Sequence, residues 1–338
     1  FIELEATLNA AGVFKPNYFF EFVKLLLTLV PIIYGYISLY SGKNGILGPL
    51  LILAFGQFYS AWVAHDFSHH NVNGSNTTRG AFINDYIGCI IGGFRGNAML
   101  WWKKRHNPHH ISTNEVHNDP DIKLMPILHF FENFIPNKIQ RFQHLYYVPM
   151  FLFLHIYWLT ESIFITKKNL SNKNSYERKI ARMDLVGLSL HIFFSLLLVF
   201  RVGLIPVLTI YYISGFLTAL VVFSTHYGEE RLNPEDAQRM SLVEQMLTTS
   251  RNIAGFINND VDNYVWNWLT GGLNYQIEHH IFPRTPSYNL PKITPYVKDL
   301  ARKYNLEYKN SNLIECTRRC CEILYLNMKK NLVCLKSD

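Results

Sequence analysis

The chain has 338 residues, of which 49% are hydrophobic, 15% aromatic and only 17% charged. Soluble proteins carry about a quarter charged residues, so this composition excludes an ordinary soluble enzyme. The net charge of +7 suits loops facing an anionic lipid leaflet; no nucleic-acid motif gives it another meaning, and no nucleic-acid partner is expected.

In chain order, Phe1 to Pro16 is polar and mixed, without a signal-peptide pattern. Because Phe1 is not an initiator methionine, the chain is expected to be trimmed or a fragment. Lys24 and Lys43 enclose 18 uncharged residues, and Lys43 and His65 enclose another 21. Ile83–Leu100 is less apolar, carries Asp85, Arg95 and four glycines, and reads as an interfacial or re-entrant piece. Leu145–Thr166 is apolar but holds Pro149, His155 and Glu161. Leu185–Phe200 gives 16 uncharged residues with His191 among them, and Val202–Thr225 gives 24. A bilayer crossing needs ~20 residues, which predicts spans at about 22–42, 45–64, 184–200 and 203–225. The five cysteines form neither a disulfide framework nor a C-x-x-C spacing, and the adjacent Cys320 and Cys321 suit a reducing compartment.

Three clusters hold eight of the fourteen histidines. In His65-Asp66-Phe67-Ser68-His69-His70, His65 and His69 stand one helical turn apart, on one face. His106, His109 and His110 follow an i, i+3, i+4 spacing, and Gln276, His279 and His280 repeat it with Gln in the first place. Imidazole is a common ligand for iron, copper and zinc, and ligands a turn apart on a rigid helix are pre-organised to chelate. A histidine-rich tract would be contiguous, whereas these clusters are far apart and share one spacing logic. His70 is turned well round the helix from its neighbours and is the weakest member.

One metal site requires all three clusters on one side of the membrane. Three apolar segments separate the second cluster from the third, so one of them does not cross. Leu145–Thr166 is the expected exception, an amphipathic helix in the interface. The loop after it is basic (Lys167, Lys168, Lys173, Arg178, Lys179 and Arg182 against Glu177), as is the loop holding the first two clusters. Basic loops stay cytosolic. The expected fold is therefore an all-α integral membrane protein with four transmembrane helices, interfacial amphipathic helices and a cytosolic histidine-rich cap. It forms a single domain, 1–338, with cytosolic catalytic parts at 65–143 and 226–338 and both termini cytosolic. His226, at the cytosolic end of the last span, is placed to join the site; His191, mid-span, reads as structural.

The candidate metal ligands are thus His65, His69, His70, His106, His109, His110, His226, Gln276, His279 and His280. That exceeds what one ion uses while keeping open positions, so two ions are implied. Nitrogen-rich, sulfur-free ligation suits iron. Two irons at a membrane surface point to dioxygen as co-substrate and an unreactive C–H bond of a lipid chain as target. Asp66, Asp119, Asp121 and Glu278 stand where they can orient imidazoles.

The boxes H-x-x-x-H, H-x-x-H-H and Q-x-x-H-H resemble those of the membrane fatty-acid desaturases, and the Gln276 form is similar to the front-end group (delta-5/delta-6-like, or sphingolipid delta-8). Trp101-Trp102-Lys103-Lys104-Arg105-His106-Asn107, Asn118-Asp119-Pro120-Asp121, Thr248-Thr249-Ser250-Arg251-Asn252 and Gly271-Gly272-Leu273-Asn274-Tyr275 extend the likeness over essentially the whole chain. The resemblance implies a di-iron centre and oxygen-dependent desaturation of a fatty acyl chain between an existing double bond and the carboxyl end. It also implies electrons from cytochrome b5 and its reductase, and an endoplasmic-reticulum membrane. Front-end members commonly carry a fused cytochrome b5 domain with a His-Pro-Gly-Gly motif, which this sequence lacks. A lipid hydroxylase on the same histidines, and more remotely a metal transporter, are the rival readings; a transporter places its ligands near the middle of its spans.

Overall fold

The structure, a computed structural model, describes residues 2–43, 45–73, 77–122, 127–130, 137–256 and 260–334. In chain order the helices are α1 (Ile2–Ala10), α2 (Tyr18–Ser41), α3 (Leu47–Ser68), α4 (Thr78–Arg95), α5 (Met99–Ile111), α6 (Gln143–Tyr146), α7 (Leu154–Asn169), α8 (Ser175–Val202), α9 (Leu204–Val222), α10 (Pro234–Arg239), α11 (Leu242–Thr249), α12 (Asp260–Leu269), α13 (Gln276–Ile281), α14 (Leu290–Lys303) and α15 (Leu313–Cys334). Two compact units emerge, each drawn from several stretches of chain.

The first unit comprises Phe1–Lys104, Leu152–Thr218 and Pro283–Asn289. Its α2 starts at Asn17, whose side chain accepts from the Phe19 N–H at 3.0 Å, and ends at Gly42 with φ 68°, a left-handed cap that glycine adopts without a Cβ penalty. Glycines let its helices approach closely. A Cβ on Gly35 would stand 2.6 Å from the Leu53 Cβ, and one on Gly93 would stand 2.7 Å from the Gly187 Cα. The α2/α3 and α4/α8 contacts are therefore nearly backbone to backbone, as in helices that associate in lipid by close van der Waals packing. Opposite these seams, α2 exposes Val30, Ile33 and Ile37, and α8 exposes Phe193, Leu196 and Phe200. Such surfaces are unfavourable in water and ordinary against acyl chains.

Five segments are long and apolar enough to cross a membrane: Tyr18–Ser41, Leu47–Ser68, Pro149–Asn169, Ser175–Val202 and Leu204–Val222. Four of these carry the expected spans. The fifth, Pro149–Asn169, covers the stretch expected in the interface, and its length and composition alone do not separate it from the others. The piece at 83–100 is helical: α4 buries Asn84, Asp85 and Arg95, and α5 begins directly after it. The start of α5 is capped from elsewhere in the sequence. Asp184 on α8 accepts from the Met99 and Leu100 N–H groups at 2.8 and 2.9 Å, and Ser162 accepts from the Ala98 N–H at 2.9 Å. A carboxylate at a helix N-terminus satisfies orphan donors and complements the dipole, which fixes where the box-two helix starts.

The second unit comprises Arg105–Phe151, Ala219–Phe282 and Leu290–Asp338. Its core is aromatic, with Phe130 and Phe223 centred 4.6 and 5.2 Å from the Tyr227 ring and Tyr147 4.9 Å from Phe151. Against the all-α expectation it contains a short parallel pair, β1 (Asn252–Ala254) and β2 (Asn310–Asn312), in register Asn252 to Asn310. A pair three residues long leaves no alternation for a sequence reading to detect. Ser241 and Glu244 form a capping box that starts α11. Cys89 of the first unit and Cys316, Cys320 and Cys321 of the second are free thiols.

Candidate metal centre

Within the second unit, the last two turns of α5 and the six-residue α13 bring six histidine and amide side chains together with His226. All six residues of α13 are buried, and such a short helix does not hold itself. Asn252 accepts from the Ile277 N–H at 2.9 Å and donates to Glu278 at 2.7 Å; Tyr308 and Thr294 donate to the same carboxylate at 2.6 and 2.8 Å. Burial pushes the Glu278 carboxyl upward, and these hydrogen bonds work against that shift. Glu278 thus anchors the helix through Asn252, Thr294 and Tyr308.

The imidazoles form two groups. His106 and His110 face each other Nε2 to Nε2 at 3.0 Å, and the His110 ring lies 4.7 Å from that of His279. Potential ligand atoms of His106, His110 and His279 all lie within 4.8 Å of one another, and so do those of His109, His226 and His280. Gln276 joins the second group, its amide nitrogen 2.8 Å from His226 Nε2 and 3.1 Å from His280 Nε2. Turning that amide by half a turn presents its oxygen to the same point. His110 and His280 stack at 4.1 Å, where the two groups meet.

The outward nitrogens are fixed by partners. Asp119 accepts from His109 Nδ1 at 3.0 Å, and is itself held by the N–H groups of Asn114 and Asp121, each at 2.8 Å. Burial disfavours a protonated His109, yet Asp119 and Asp121 outweigh it and raise its pKa. His226 Nδ1 meets the Thr249 carbonyl at 3.2 Å, and His280 Nδ1 meets the Thr113 hydroxyl at 3.0 Å. Burial lowers His226 to about 3, with the neighbouring His109 adding to it, and burial with His110 and His226 holds His280 well below the usual imidazole range. Both are neutral at pH 7, the state in which an imidazole ligates a metal. A buried donor set of imidazoles and one amide, without thiolate, fits a borderline transition ion such as iron.

In the first unit, His65 and His69 stand Nε2 to Nε2 at 3.1 Å, as their i,i+4 spacing predicts. Asp66 directs one carboxylate oxygen to Lys24 and Ser287 and the other toward His65 Nδ1 at 3.8 Å. His70 follows the end of α3 with φ 58°, and its Nε2 meets Asp85 at 2.8 Å and Lys103 at 2.9 Å. The chain leaves the helix at this residue, so His70 does not share a face with His65 and His69. His191 bonds the Phe94 carbonyl at 2.8 Å and the Tyr211 hydroxyl at 2.9 Å, the structural role expected of it. Of the acids, Asp119 orients a histidine and Glu278 anchors a helix.

Thr113, Asn114, Thr249 and Asn252 escaped sequence reasoning as site residues. Thr249 and Asn252 lie in the Thr248–Asn252 run, whose likeness to known proteins was visible without any role attached. Thr113 and Asn114 follow box two with no signal of their own.

The sequence profile described as "Fatty acid desaturase" matches residues 44–312. The chain is 37% identical over 315 residues to the acyl-lipid 8-desaturase of Rebecca salina, covering 92% of this chain and 70% of that protein. It is 31% identical to the delta(6)-fatty-acid desaturase fat-3 of Caenorhabditis elegans, covering 91% and 70%, and 30% identical to the delta(5) fatty acid desaturase fat-4 of the same organism, covering 91% and 69%. No solved structure matches the chain.

Proposed function

This chain belongs to the fatty acid desaturase family, and from that premise we propose how its histidines serve the reaction. It is an oxidoreductase of lipid metabolism that acts as a front-end desaturase, placing a new double bond between an existing one and the carboxyl end of a fatty acyl chain. The reading rests above all on one observation: two buried imidazole groups meet at the stacked pair His110 and His280.

In this proposal His106, His110 and His279 of the second unit would hold one iron and His109, His226 and His280 with Gln276 a second, while His65 and His69 of the first unit would also serve as iron ligands. His70 stays with Asp85 and Lys103. Two bound irons would supply the dioxygen activation needed to remove hydrogens from adjacent methylene carbons. The chain's own residues do the positioning. Asp119 keeps the His109 proton on Nδ1 and leaves Nε2 free to ligate, and the Thr249 carbonyl does the same for His226. Glu278, with Asn252, Thr294 and Tyr308, holds α13 so that His279 faces His110 while His280 faces His109 and His226. The apolar cavity of the first unit that includes His65 in its wall would receive the acyl chain and keep water from the reacting carbons.

Residues 1–338 would act as one catalytic domain with four crossings, α2, α3, α8 and α9, and with Pro149–Asn169 and α12 lying in the interface. The boxes would face the cytosol at the endoplasmic-reticulum membrane and take electrons from cytochrome b5 and its reductase. A cysteine at Asn172 should then react with an impermeant thiol reagent from the cytosolic side of sealed microsomes, as a cysteine at exposed Lys138 does. Lumenal labelling at Asn172 would mean that Pro149–Asn169 crosses, which the four-crossing topology does not allow.

The reaction itself is tested by expressing the chain in yeast, whose own cytochrome b5 supplies electrons, and feeding single unsaturated acids. The expected product is the fed acid with two hydrogens removed, its new double bond on the carboxyl side of the existing one. An alcohol of the fed acid as the main product would make the chain a hydroxylase.

A further inference from the structure

Three cations of the first unit stand together at one end of an open groove between α4 and α8. Arg178, Lys179 and Arg182, in the first two turns of α8, line that end with Ser175. The rest of the groove is walled by Phe82 and Tyr86 from α4 and by Met183 and Val186 from α8. Among the described residues none of the three cations forms an ion pair. The neighbouring acids are engaged elsewhere: Asp85 by His70 and Lys103, Glu177 by Lys104, and Asp184 by the start of α5. Arg178 donates one N–H to the Asn172 carbonyl at 2.6 Å, and Lys179 stands 4.1 Å over the Phe82 ring. Lys179 and Arg182 are exposed.

Local helix energetics does not account for these charges. Lys179 meets Phe82 near the start of both helices, and Gly187 meets Gly93 further along both, so α4 and α8 run in the same direction. Both N-termini, each carrying partial positive charge, therefore lie at the cationic end, where further cations are unfavourable until an anion joins them. Beyond the cations the surface stays apolar. Tyr86 and Ile90 on α4, and Val186, Leu190 and Phe193 on α8, are exposed at helical spacing, and α8 is long and apolar enough to cross a membrane. Cations at the head of an apolar run on a membrane helix pair match a phosphate headgroup joined to acyl chains. Basic pockets between membrane helices recognise lipids of that kind.

We propose that this groove binds one anionic phospholipid, its phosphate on Arg178, Lys179, Arg182 and Ser175 and an acyl chain along Phe82, Tyr86, Met183 and Val186. A zwitterionic lipid brings its own positive charge to the same place and is the poorer fit. The bound lipid braces α4 against α8, the helix whose Asp184 starts α5. The site uses no histidine, and it holds whether or not the chain is a desaturase.

The test is native mass spectrometry of the full chain released from detergent micelles that hold equal amounts of dioleoyl phosphatidic acid and dioleoyl phosphatidylcholine. Both lipids compete for the same folded molecules, so the ratio of their adducts is independent of yield. The wild-type chain should carry one phosphatidic acid in clear excess over phosphatidylcholine. K179Q/R182Q should lower that excess by about tenfold or more. K167Q/K168Q removes two charges of α7 that lie outside the groove lining, and should leave the ratio unchanged. An equal fall in K167Q/K168Q would reduce the effect to general surface charge and overturn the proposal. So would a wild-type ratio near one, or a ratio that K179Q/R182Q does not move. Displacement of phosphatidic acid by an equal concentration of glycerol phosphate would also overturn it, by making the groove a site for free phosphate esters.

Discussion

Replacing His110 or His279 with alanine is expected to abolish desaturation, a loss of about a hundredfold or more, and to lower bound iron while the protein remains in the membrane. Removing residues that merely orient a ligand typically costs 10–100-fold in metal affinity or activity, so loss of a ligand should exceed that range. His110 should show the larger effect of the two. Its ring lies 3.0 Å (Nε2 to Nε2) from His106, 4.7 Å from His279 and 4.1 Å from His280, so its removal reaches both imidazole groups. Membrane insertion should persist because α2 packs on α3 and α4 on α8 through contacts such as Gly35 to Leu53 and Gly93 to Gly187, none of which involves either histidine. Full activity and full iron content in His110→Ala would remove this residue from the ligand set.

Asp119→Asn is expected to lower turnover and iron retention by roughly 10- to 100-fold. The substitution preserves size but removes the charge that keeps a proton on His109 Nδ1. Burial then acts on His109 without its opposing carboxylate, so the His109 pKa should fall. The amide nitrogen would also confront one of the two N–H groups, of Asn114 or of Asp121, that Asp119 now accepts, which loosens the turn after box two. Iron retention after dialysis against a mild chelator, measured beside turnover, checks both consequences. Unchanged retention would mean that Asp119 supports the turn but not the metal.

Much of this centre was legible in the sequence because its ligands come in local pairs. Spacings of three and four residues fix which imidazoles share a helix face, and His65 with His69, His106 with His110, and Gln276 with His280 appear as that geometry requires. His226 was placed by topology rather than by spacing, and it stands 2.8 Å from Gln276. What was not legible depends on contacts across long sequence distances. Asp184 caps a helix 85 residues away, and Thr113 meets His280 across 167 residues. Neither leaves a periodic trace. Glu278 shows the reverse error to guard against: a carboxylate between two box residues suggests a histidine partner, whereas its bonds go to Asn252, Thr294 and Tyr308. The segment Pro149–Asn169 illustrates a different limit, since hydropathy and length admit both a crossing and an interfacial helix, and the choice of four crossings rests on keeping all three boxes on one side.

The account turns on one centre holding two irons. The most direct measurement is Mössbauer spectroscopy of the chain purified from cells grown on iron-57, combined with total metal analysis of the same sample. Two irons per chain, both in high-spin sites of nitrogen and oxygen ligation and both lost together in His110→Ala, is the expected result. A single iron per chain, or zinc filling the sites of an actively desaturating preparation, would contradict it.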